Sequence, residues 1–423
     1  MQEIQLKYGQ TAIPFTFNAN RFKILGEPEG NPPLSDVQIG ERLDNPIDSE
    51  TIENIVHPGQ RVLFVVSDAT RQTACGQIIN LLVRRLIANG TAPYEISAIF
   101  ATGIHRAVTE AEKKAILTPF ITQRIKTLEH GPRDLMRIMH LGETSFGIPV
   151  ELNRALVEHD HVILIGGVSF HYFAGFTGGR KLICPGLASS KTITATHKLA
   201  FDCERKERRE GVGPGRLDGN LVNEAFMGAV ARINPSFCVN TIVNGAGQAV
   251  DLTCGSWISS HRRACESYAA SNTVRIREKR DLVIVSCGGY PYDINMIQAQ
   301  KALQAASLAC IDGGTIALVA QCTDGVGGER FLNWFEGGDS EKVAIRLCES
   351  YSVNGQTAWS LLKLTERFRI KSVSSLEAPT TQKLKFEQLS SLHIGSLTEE
   401  VSTGYIMPFG SRTLVEVEDA SDV

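Results

Sequence analysis

Residues 61–67 read RVLFVVS, and residues 77–88, QIINLLVRRLIA, follow after a short polar stretch. The first run is short, apolar and rich in β-branched residues, which predicts a buried strand. The second has apolar residues at helical spacing, which predicts an amphipathic helix. A buried strand followed closely by a helix is the repeating unit of a parallel α/β sheet, so this stretch predicts an α/β fold.

Short apolar runs of the same kind recur along the chain, and stretches with helical patterns separate them. In chain order they are residues 96–101, 160–166, 237–243, 281–287 and 314–319. The sequence TEAE at residues 109–112 is a capping box and predicts a helix start between the first two runs. Alternating strands and helices predict parallel sheets, in which ligands bind beyond the carboxyl ends of the strands.

A polar stretch, SNTVRIREKR at residues 271–280, precedes a fresh strand and predicts a domain boundary. At 423 residues the chain is long enough for two cores. We expect an N-terminal α/β domain over residues 1–272 and a C-terminal α/β domain over residues 273–399. Residues 400–423 contain one more strand pattern, and we expect this segment to rejoin the N-terminal domain.

The composition excludes several classes of protein. Hydrophobic residues make up 43% and charged residues 21%, as in an ordinary globular protein, and the formal net charge is −3. The basic run ERKERR at residues 204–209 also contains two acids, which is typical of a solvated helix face and not of a nucleic-acid-binding stripe. The first residues, MQEIQLK, lack the features of a signal peptide, and the apolar runs are too short to span a membrane. We expect a cytoplasmic protein that binds neither nucleic acid nor membrane.

Ten cysteines are scattered along the chain without any C-x-x-C pair. In a large chain without a secretion signal, this pattern is typical of reduced thiols, several of them buried. A thiolate zinc site is not expected.

Two polar motifs directly follow predicted strands. In SDATR, residues 67–71, Asp68, a hydroxyl and Arg71 suit a sugar hydroxyl, a phosphate or a carboxylate, because arginine grips oxyanions through two N–H groups. The alternative is an ordinary turn in which Asp68 caps the next helix. In ATGIHR, residues 101–106, His105 is well placed for proton transfer, and the alternative is a structural or solvent-facing histidine.

The densest motif is SFHYFAGFTGGRK at residues 169–181. Its three glycines let a backbone approach a ligand closely and point amides at an anion: Gly175, Gly178 and Gly179. The motif resembles a phosphate-binding P-loop. However, Arg180 stands where that loop needs glycine and Leu182 where it needs Ser or Thr, which disfavours ATP hydrolysis.

Lys181, at the end of this motif, suits a phosphate-binding cation, a covalent amine or a plain surface lysine. Sixteen residues later comes His197, within TITATHK at residues 192–198. A helix or turn there would return the imidazole toward the loop, which makes His197 a candidate metal ligand.

The fourth motif, GGYPYD at residues 288–293, also follows a strand and leads into a helix. Gln298 and Lys301 lie three residues apart on one face of that helix, and an amide beside an ammonium suits a carboxylate. The alternative is an exposed polar face. A further glycine-rich loop, TDGVGGER at residues 323–330, follows a later strand.

Each motif is weak alone, but their order along the chain, beginning with LDNPI at residues 43–47, resembles the nickel-dependent lactate racemase family. The most specific element is H-x-F-A-G-F-[ST]-G-G-R-K, here from His171 to Lys181, followed by T-I-x-A-x-H ending at His197. The resemblance extends from about residue 40 to residue 365. It implies two Rossmann-like domains with parallel-type sheets and an active site in the cleft between them.

The resemblance also implies a cofactor, the nickel pincer nucleotide. This pyridinium bisthiocarboxylic acid mononucleotide binds nickel through two sulfurs and a carbon. By their match to the family, Lys181 would be joined to it as a thioamide, and His197 would ligate the nickel. The residues that would hold the nucleotide are Asp68, Thr70, Gly178 and Gly179. Cofactor-synthesis enzymes would be the partners that load it.

The implied reaction is racemisation or epimerisation of a small 2-hydroxycarboxylate, with malate, lactate or a related acid as substrate. His105 and His171 match the family's two acid/base histidines, and the substrate-binding residues would be Arg71, Gln298 and Lys301. Transfer of the C2 hydrogen as hydride gives a 2-oxoacid that can be reduced on either face. The cofactor would store the hydride, while the protein supplies orientation and charge.

One departure from the family concerns substrate choice. Lactate enzymes of the family carry a tryptophan in a W-T-A context, whereas Gln356 precedes Thr-Ala here and Trp359 comes three positions later. Ile297 also replaces an aromatic residue. Gln356 or Arg330 could serve a second polar group on the substrate, which favours malate or a sugar acid.

Two other functions are alternatives to the racemase. An NAD-type hydroxyacid oxidoreductase would need a strand-G-x-G-x-x-G-helix unit, which is not evident. A non-catalytic nickel or nucleotide carrier would not need His105 and His171 together.

Overall fold

The computed structural model describes residues 1–26 and 31–418. The strands, in chain order, are β1 (Gln2–Tyr8), β2 (Thr11–Phe17), β3 (Phe22–Ile24), β4 (Val62–Ser67), β5 (Ile96–Ala101), β6 (Lys126–Leu128), β7 (Ile138–Glu143), β8 (Pro149–Asn153), β9 (His161–Gly167), β10 (Phe170–His171), β11 (Gly175–Phe176), β12 (Phe201–Asp202), β13 (Glu207–Arg208), β14 (Phe237–Val243), β15 (Ala249–Gly255), β16 (Thr273–Ile276), β17 (Arg280–Ser286), β18 (Cys310–Val319), β19 (Arg369–Val373), β20 (Glu387–Gln388), β21 (Gly404–Met407) and β22 (Leu414–Val417). The α-helices are α1 (Asp36–Leu43), α2 (Ile52–Ile55), α3 (Cys75–Ala88), α4 (Glu110–Leu117), α5 (Pro119–Thr122), α6 (Ala155–Glu158), α7 (Ser190–Lys198), α8 (Leu221–Val230), α9 (Ser259–Asn272), α10 (Met296–Ala309), α11 (Ser340–Glu349), α12 (Val353–Arg367) and α13 (Ala378–Lys383).

The chain divides into two compact units. The central unit consists of Gly30–Ala200 and Glu210–Tyr268, and the terminal unit of Met1–Glu29, Phe201–Arg209 and Ala269–Val423. Each unit contains its own six-stranded sheet with parallel strands, so the predicted α/β class with two Rossmann-like domains is confirmed.

The sheet of the central unit has the order β15-β14-β9-β4-β5-β6, with all neighbours parallel except β14 and β15. All residues of β4 are buried, as expected for a strand covered on both faces. The apolar stripe of α3, including Leu82 and Leu86, packs in one cluster with alternate residues of β4. Burial of each such side chain stabilises the folded protein by about 1.5–3 kcal/mol. Because β4, β5 and β9 are parallel, the loops after Ser67, Ala101 and Gly167 leave the same edge of the sheet.

The sheet of the terminal unit has the order β20-β19-β18-β17-β21-β3 and is parallel throughout. Its core lies between α10, α12 and the apolar face of β17 and β18. At the other face, β1 and β2 form an antiparallel hairpin whose apolar residues join a second cluster with β17.

The predicted assignment of the last segment to the N-terminal domain is wrong. β21 pairs with β17 and β3, and β22 pairs with β16, all within the terminal unit. Residues 419–423 lie outside the described residues. The N-terminal residues up to 26 also belong to this unit and not to the first predicted domain. The strand pattern was visible in the sequence, but the hydrogen-bonding partner of a strand is set by non-local pairing that the pattern does not contain.

Residues 201–209 differ from expectation in two ways. The basic run forms part of a small hairpin of β12 and β13, and not a solvated helix face. Cys203 in this hairpin forms a disulfide with Cys348 of α11, with the two Cα atoms 5.6 Å apart, so these two cysteines are not the reduced thiols we expected. The other eight cysteines are free and buried.

Within residues 1–26 and 31–418, no helix is both long enough and apolar enough to cross a membrane.

Candidate active site

Asp68 follows β4 directly and is only 5% exposed. Its Oδ1 accepts hydrogen bonds from the backbone N–H of Thr70 at 3.1 Å and from the Thr70 hydroxyl at 2.6 Å, while Oδ2 lies 2.7 Å from Nδ1 of His105. Burial alone would raise the pKa of Asp68. The charge and hydrogen bond of His105, then the charge of Arg71 and the bond from Thr70, lower it to about 2. Asp68 does not cap α3, whose N-cap is Ala74.

His105 lies in the loop after β5, where Gly103 donates a backbone hydrogen bond to Gly186 at 2.8 Å. Because ionised Asp68 accepts at Nδ1, the neutral imidazole carries its proton on Nδ1 and its lone pair on Nε2. The side chain is 38% exposed, so a ligand can reach Nε2. His105 is therefore oriented as a proton acceptor.

His171 ends β10 in a short hairpin with β11, in which His171 pairs with Gly175. The backbone N–H of Ala174 donates to Nδ1 of His171 at 3.3 Å. A nitrogen that accepts a hydrogen bond holds a lone pair, so the neutral ring carries its proton on Nε2. The two histidines are thus held in opposite tautomers.

The ring of Phe173 brings three predicted site residues together. Its centroid lies 4.5 Å from that of His171 and 4.9 Å from that of His197, and the ammonium of Lys181 lies 5.3 Å away. Phe226 on α8 contacts two of the same groups, with its centroid 5.3 Å from Nζ of Lys181 and 5.6 Å from the ring of His197. The lysine and the two histidines therefore pack against two aromatic rings.

Lys181 lies in a 3-10 turn, Gly179–Leu182, and is half-buried. Burial, and then the positive charges of Arg180 and Arg71, hold its pKa well below the usual range for lysine. The shift increases the fraction of neutral amine, which is the nucleophilic form.

His197 lies on α7 and is 5% exposed. Burial and the charge of Lys181 lower its pKa to about 3, although a hydrogen bond with the backbone of Ile193 opposes the shift. The imidazole is therefore neutral, and one ring nitrogen is held by the backbone, as in metal-binding histidines. Within the part of the chain that the structure describes, no group of three or more His, Cys, Asp or Glu residues could hold a metal ion.

The glycines of the dense motif are required by close packing within the protein. Gly178 and Gly179 have φ values of +75° and +46°. A Cβ on Gly178 would lie 3.1 Å from the carbonyl oxygen of Gly167, and one on Gly179 would lie 2.5 Å from the ring of His261. Their predicted contact with a nucleotide stays a prediction.

Arg71 folds back on its neighbour, with Nη1 donating to the carbonyl oxygen of Thr70 at 3.0 Å. Its charge acts on both Asp68 and Lys181, so it contributes to the positive potential of this edge of the sheet. A positive potential at the end of parallel strands favours an anionic ligand.

Gln298 and Lys301, in the terminal unit, share one face of α10, because Nζ of Lys301 donates to Oε1 of Gln298 at 2.5 Å. Gln298 is buried, so the pair is not an exposed polar face. Asn295 caps the helix by accepting from the backbone N–H of Gln298 at 3.0 Å. The glycine-rich loop packs on this end of α10, since Gly325 accepts from the backbone N–H of Met296 at 3.1 Å.

Gln356 is buried on α12, and its Oε1 accepts from the hydroxyl of Tyr351 at 2.5 Å. Trp359 packs edge-on against Phe201 in the core of the terminal unit, with centroids 5.0 Å apart. Arg330 is exposed. Of the residues proposed to meet a second polar group, Gln356 is the one in a buried, preorganised setting.

Comparison with known proteins identifies the family. The family model described as "Lactate racemase N-terminal domain" matches residues 8–209, and "Lactate racemase C-terminal domain" matches residues 276–361. The chain is 31% identical over 340 residues to the lactate racemase of Thermoanaerobacterium thermosaccharolyticum, covering 79% of this chain and 78% of that protein. It is 32% identical over 302 residues to the lactate racemase of Lactiplantibacillus plantarum, covering 71% and 69%. The chain belongs to the lactate racemase family, and therefore to the isomerases.

Solved structures agree with this membership. The lactate racemase apoprotein from T. thermosaccharolyticum has a TM-score of 0.87 at 25% identity, covering 98% of this chain and 100% of that one. A protein from Thermotoga maritima has a TM-score of 0.71 at 19% identity, covering 92% and 100%, which is a likeness of fold.

Some residues that shape the site have no role predicted from the sequence. Phe173, inside the densest motif, and Phe226 surround Lys181 and His197, and neither was predicted because an aromatic residue in a sequence is more often plain core. Asp293, at the end of the GGYPYD motif, likewise has no predicted role. It is 1% exposed, and its Oδ2 accepts from the backbone N–H groups of Gly9 at 2.7 Å and Gln321 at 3.0 Å, which fixes the loop before α10.

Proposed function

We propose that this member of the lactate racemase family inverts C2 of a small 2-hydroxycarboxylate. The observation that carries the proposal is the pair of histidines held in opposite tautomers. His105 presents a lone pair at Nε2, and His171 presents an N–H at Nε2. Converting a hydroxyl to a carbonyl and back on the other face needs one proton acceptor and one donor.

In the proposed reaction, Nε2 of His105 takes the hydroxyl proton of one enantiomer. The carbonyl oxygen that forms is polarised by Nε2–H of His171, as neutral histidines do in other enzymes. As the opposite enantiomer forms, the proton held by the His105 cation returns to that oxygen, while Nε2–H of His171 stays a hydrogen-bond donor to it. Both rings end neutral, and the reverse direction follows the same steps.

We assign Asp68 to orienting His105 and stabilising the cation formed when that ring takes the proton. Both of its oxygens already have partners, so a contact with the nucleotide is a lesser role for Asp68 than the family match implied. Thr70, Gly178 and Gly179 remain the proposed nucleotide-binding residues.

The substrate carboxylate would be bound by fixed positive charge. Arg71 carries a guanidinium suited to bidentate contact with a carboxylate. The Gln298–Lys301 pair presents an amide and an ammonium already held together by a hydrogen bond, which reduces the conformational entropy lost on binding.

The residues around Phe173 fit the nickel pincer nucleotide. A single neutral imidazole suits a metal that brings its other ligands with it, so His197 would ligate the nickel. Lys181 has the lowered pKa that forming a covalent bond to the cofactor requires. When bound, the cofactor would supply the site that accepts hydrogen from C2 as hydride. Cofactor-synthesis enzymes would load it.

Lactate is the first candidate substrate, because both curated relatives are named lactate racemase. Malate is the second candidate, because the buried amide of Gln356 suits a second carboxylate better than a methyl group. A hydrogen bond from this amide to a second carboxylate, which lactate lacks, would favour malate by about 1.5–3 kcal/mol.

The test is to follow conversion of each single enantiomer of lactate, malate and a sugar acid by chiral chromatography, using protein loaded with cofactor. We expect racemisation of at least one acid, and its loss in the His105→Gln and His171→Gln variants. The matched control is His57→Gln, an exposed histidine. Absence of racemisation with every acid would contradict the proposal, and a faster reaction with lactate than with malate would contradict the role given to Gln356.

A further inference from the structure

Asn220 is a fully buried asparagine that the proposed reaction does not use. It is the N-cap of α8, and its Oδ1 accepts from the backbone N–H groups of Val222 at 3.1 Å and Asn223 at 3.3 Å. Serine or aspartate performs the same capping role well, so capping alone does not require asparagine here.

The amide nitrogen of Asn220 contacts the turn of the β10–β11 hairpin, which carries His171. Nδ2 donates to the carbonyl oxygen of Phe173 at 2.9 Å and to that of Arg216 at 3.0 Å. Both donors and the acceptor of this side chain are therefore engaged, which fixes its orientation.

The peptide that Asn220 holds is the same peptide that contacts His171. The carbonyl of Phe173 and the N–H of Ala174 belong to one planar group and point in opposite directions. The carbonyl accepts from Asn220, and the N–H donates to Nδ1 of His171 at 3.3 Å. A rotation of this peptide would remove both hydrogen bonds together.

The next peptide, Ala174–Gly175, is also held by a buried side chain. Nη2 of the buried Arg180 donates to the carbonyl oxygen of Ala174 at 2.7 Å, while its Nε donates to Oδ1 of Asn223 at 2.5 Å. The hairpin also packs closely against the backbone of Arg216, since a Cβ on Gly175 would lie 2.2 Å from the carbonyl oxygen of Arg216. The turn that presents Ala174 to His171 is thus held from α8.

We propose that Asn220 is a positioning residue for His171. By holding the Phe173–Ala174 peptide, it keeps Nδ1 of His171 unprotonated and its proton on Nε2, the donor end of the ring. The inference rests on the proposed role of His171 in the reaction. It adds the N-cap residue of α8 to the residues that position this histidine.

The test uses the full chain with ¹⁵N-labelled histidine and long-range ¹H–¹⁵N correlation spectra, which distinguish the two tautomers. His171→Gln identifies the resonances of that ring. In the wild type we expect Nδ1 of His171 to be unprotonated. A proton on Nδ1 in the wild type would overturn the proposal, and this measurement does not depend on any variant folding.

The variant is Asn220→Ser, which keeps the helix cap and removes the amide donor. We expect the second tautomer of His171 to appear, and kcat of the loaded enzyme to fall by about tenfold or more, with KM changed much less. The matched control is Asp339→Ser, which alters the N-cap of α11, where Asp339 accepts from the backbone N–H of Lys342 at 2.8 Å. The Asp339→Ser variant should change neither the tautomer of His171 nor kcat.

A folded Asn220→Ser protein with the wild-type tautomer and wild-type kcat would overturn the proposal. The outcome is separable from that of the proposed function. If the loaded wild type racemises no hydroxyacid but Asn220→Ser still alters the tautomer, the positioning role stands and the proposed reaction fails.

Discussion

Asp68 and His105 form a carboxylate–imidazole pair, with 2.7 Å between Oδ2 and Nδ1, across 37 positions of sequence. The strands that carry them, β4 and β5, are parallel neighbours in the sheet. Since both residues follow the carboxyl ends of their strands, the sheet itself sets the spacing of the pair. The orientation of the imidazole therefore depends on the sheet and not on the loop after β5 alone.

The Asp68→Asn variant tests this pair. An amide can donate as well as accept, so it can turn the ring of His105 to the other tautomer, in which Nε2 carries the proton. By analogy with a triad aspartate, we expect kcat to fall by about 10²–10⁴-fold while the protein remains folded. Steady-state kinetics with circular dichroism as a fold control would measure this. Wild-type kcat would show that Asp68 does not orient the base.

The same aspartate predicts a pH dependence of stability. The pKa of Asp68 is lowered to about 2 in the folded protein, so the carboxylate stabilises the fold above its unfolded pKa. That stabilisation should be lost as pH falls from about 4 to about 2. Denaturant unfolding of the wild type and Asp68→Asn should give free energies that converge over this window. A difference that stays constant down to pH 2 would contradict the lowered pKa.

Covalent attachment of the cofactor should be specific to one lysine. Protein produced together with cofactor-synthesis enzymes should gain mass on the peptide that contains Lys181, because burial and nearby positive charge favour its neutral amine. Peptide mass spectrometry measures this, and Lys181→Ala should lose the adduct. An adduct on Lys191 or Lys198 would contradict the assignment.

Nickel content should depend on His197 and not on Cys184. His197→Ala should lower the nickel bound per chain, measured by elemental analysis of loaded protein. Cys184→Ser is the control, because burial raises the pKa of the Cys184 thiol to about 12 and keeps it protonated. The opposite order of the two variants would favour a thiolate site.

A substrate deuterated at C2 should keep its label when it racemises in ordinary water. The proposed histidines move only the hydroxyl proton, so the hydrogen at C2 has no route to solvent. Mass spectrometry of the product would measure retention. Rapid washout of deuterium by the wild type would indicate proton abstraction at C2 and contradict hydride transfer.

The local features of the fold could be predicted from the sequence. The β4–α3 pair follows from hydrophobic periodicity, and the capping box at Thr109 is present, with Glu112 accepting from the backbone N–H of Thr109 at 2.8 Å. Non-local features could not be predicted. The pairing of β3 with β21 and the disulfide of Cys203 join segments that no periodicity relates.

In the candidate site, too, local features could be predicted from the sequence and non-local contacts could not. Motifs and family resemblance indicated which residue types could carry the chemistry, because histidine at a strand end suits proton transfer and arginine suits anion binding. They did not indicate that Asp68 would be engaged by His105, or that Phe173 would contact His171 and His197. Those relationships depend on side-chain directions, which only the folded chain fixes.

The pairing of β3 with β21 also determines the order in which the two units can fold during translation. The ribosome releases β3 near the start of translation and β21 almost a whole chain later, so the sheet of the terminal unit cannot close until translation is nearly finished. The central unit has all its strands by residue 255 and can fold while the rest is still being made. During that interval, β3 lacks its strand partner and the apolar face of the β1–β2 hairpin lacks the sheet it packs against. This is the stage at which a molecular chaperone would have most to protect.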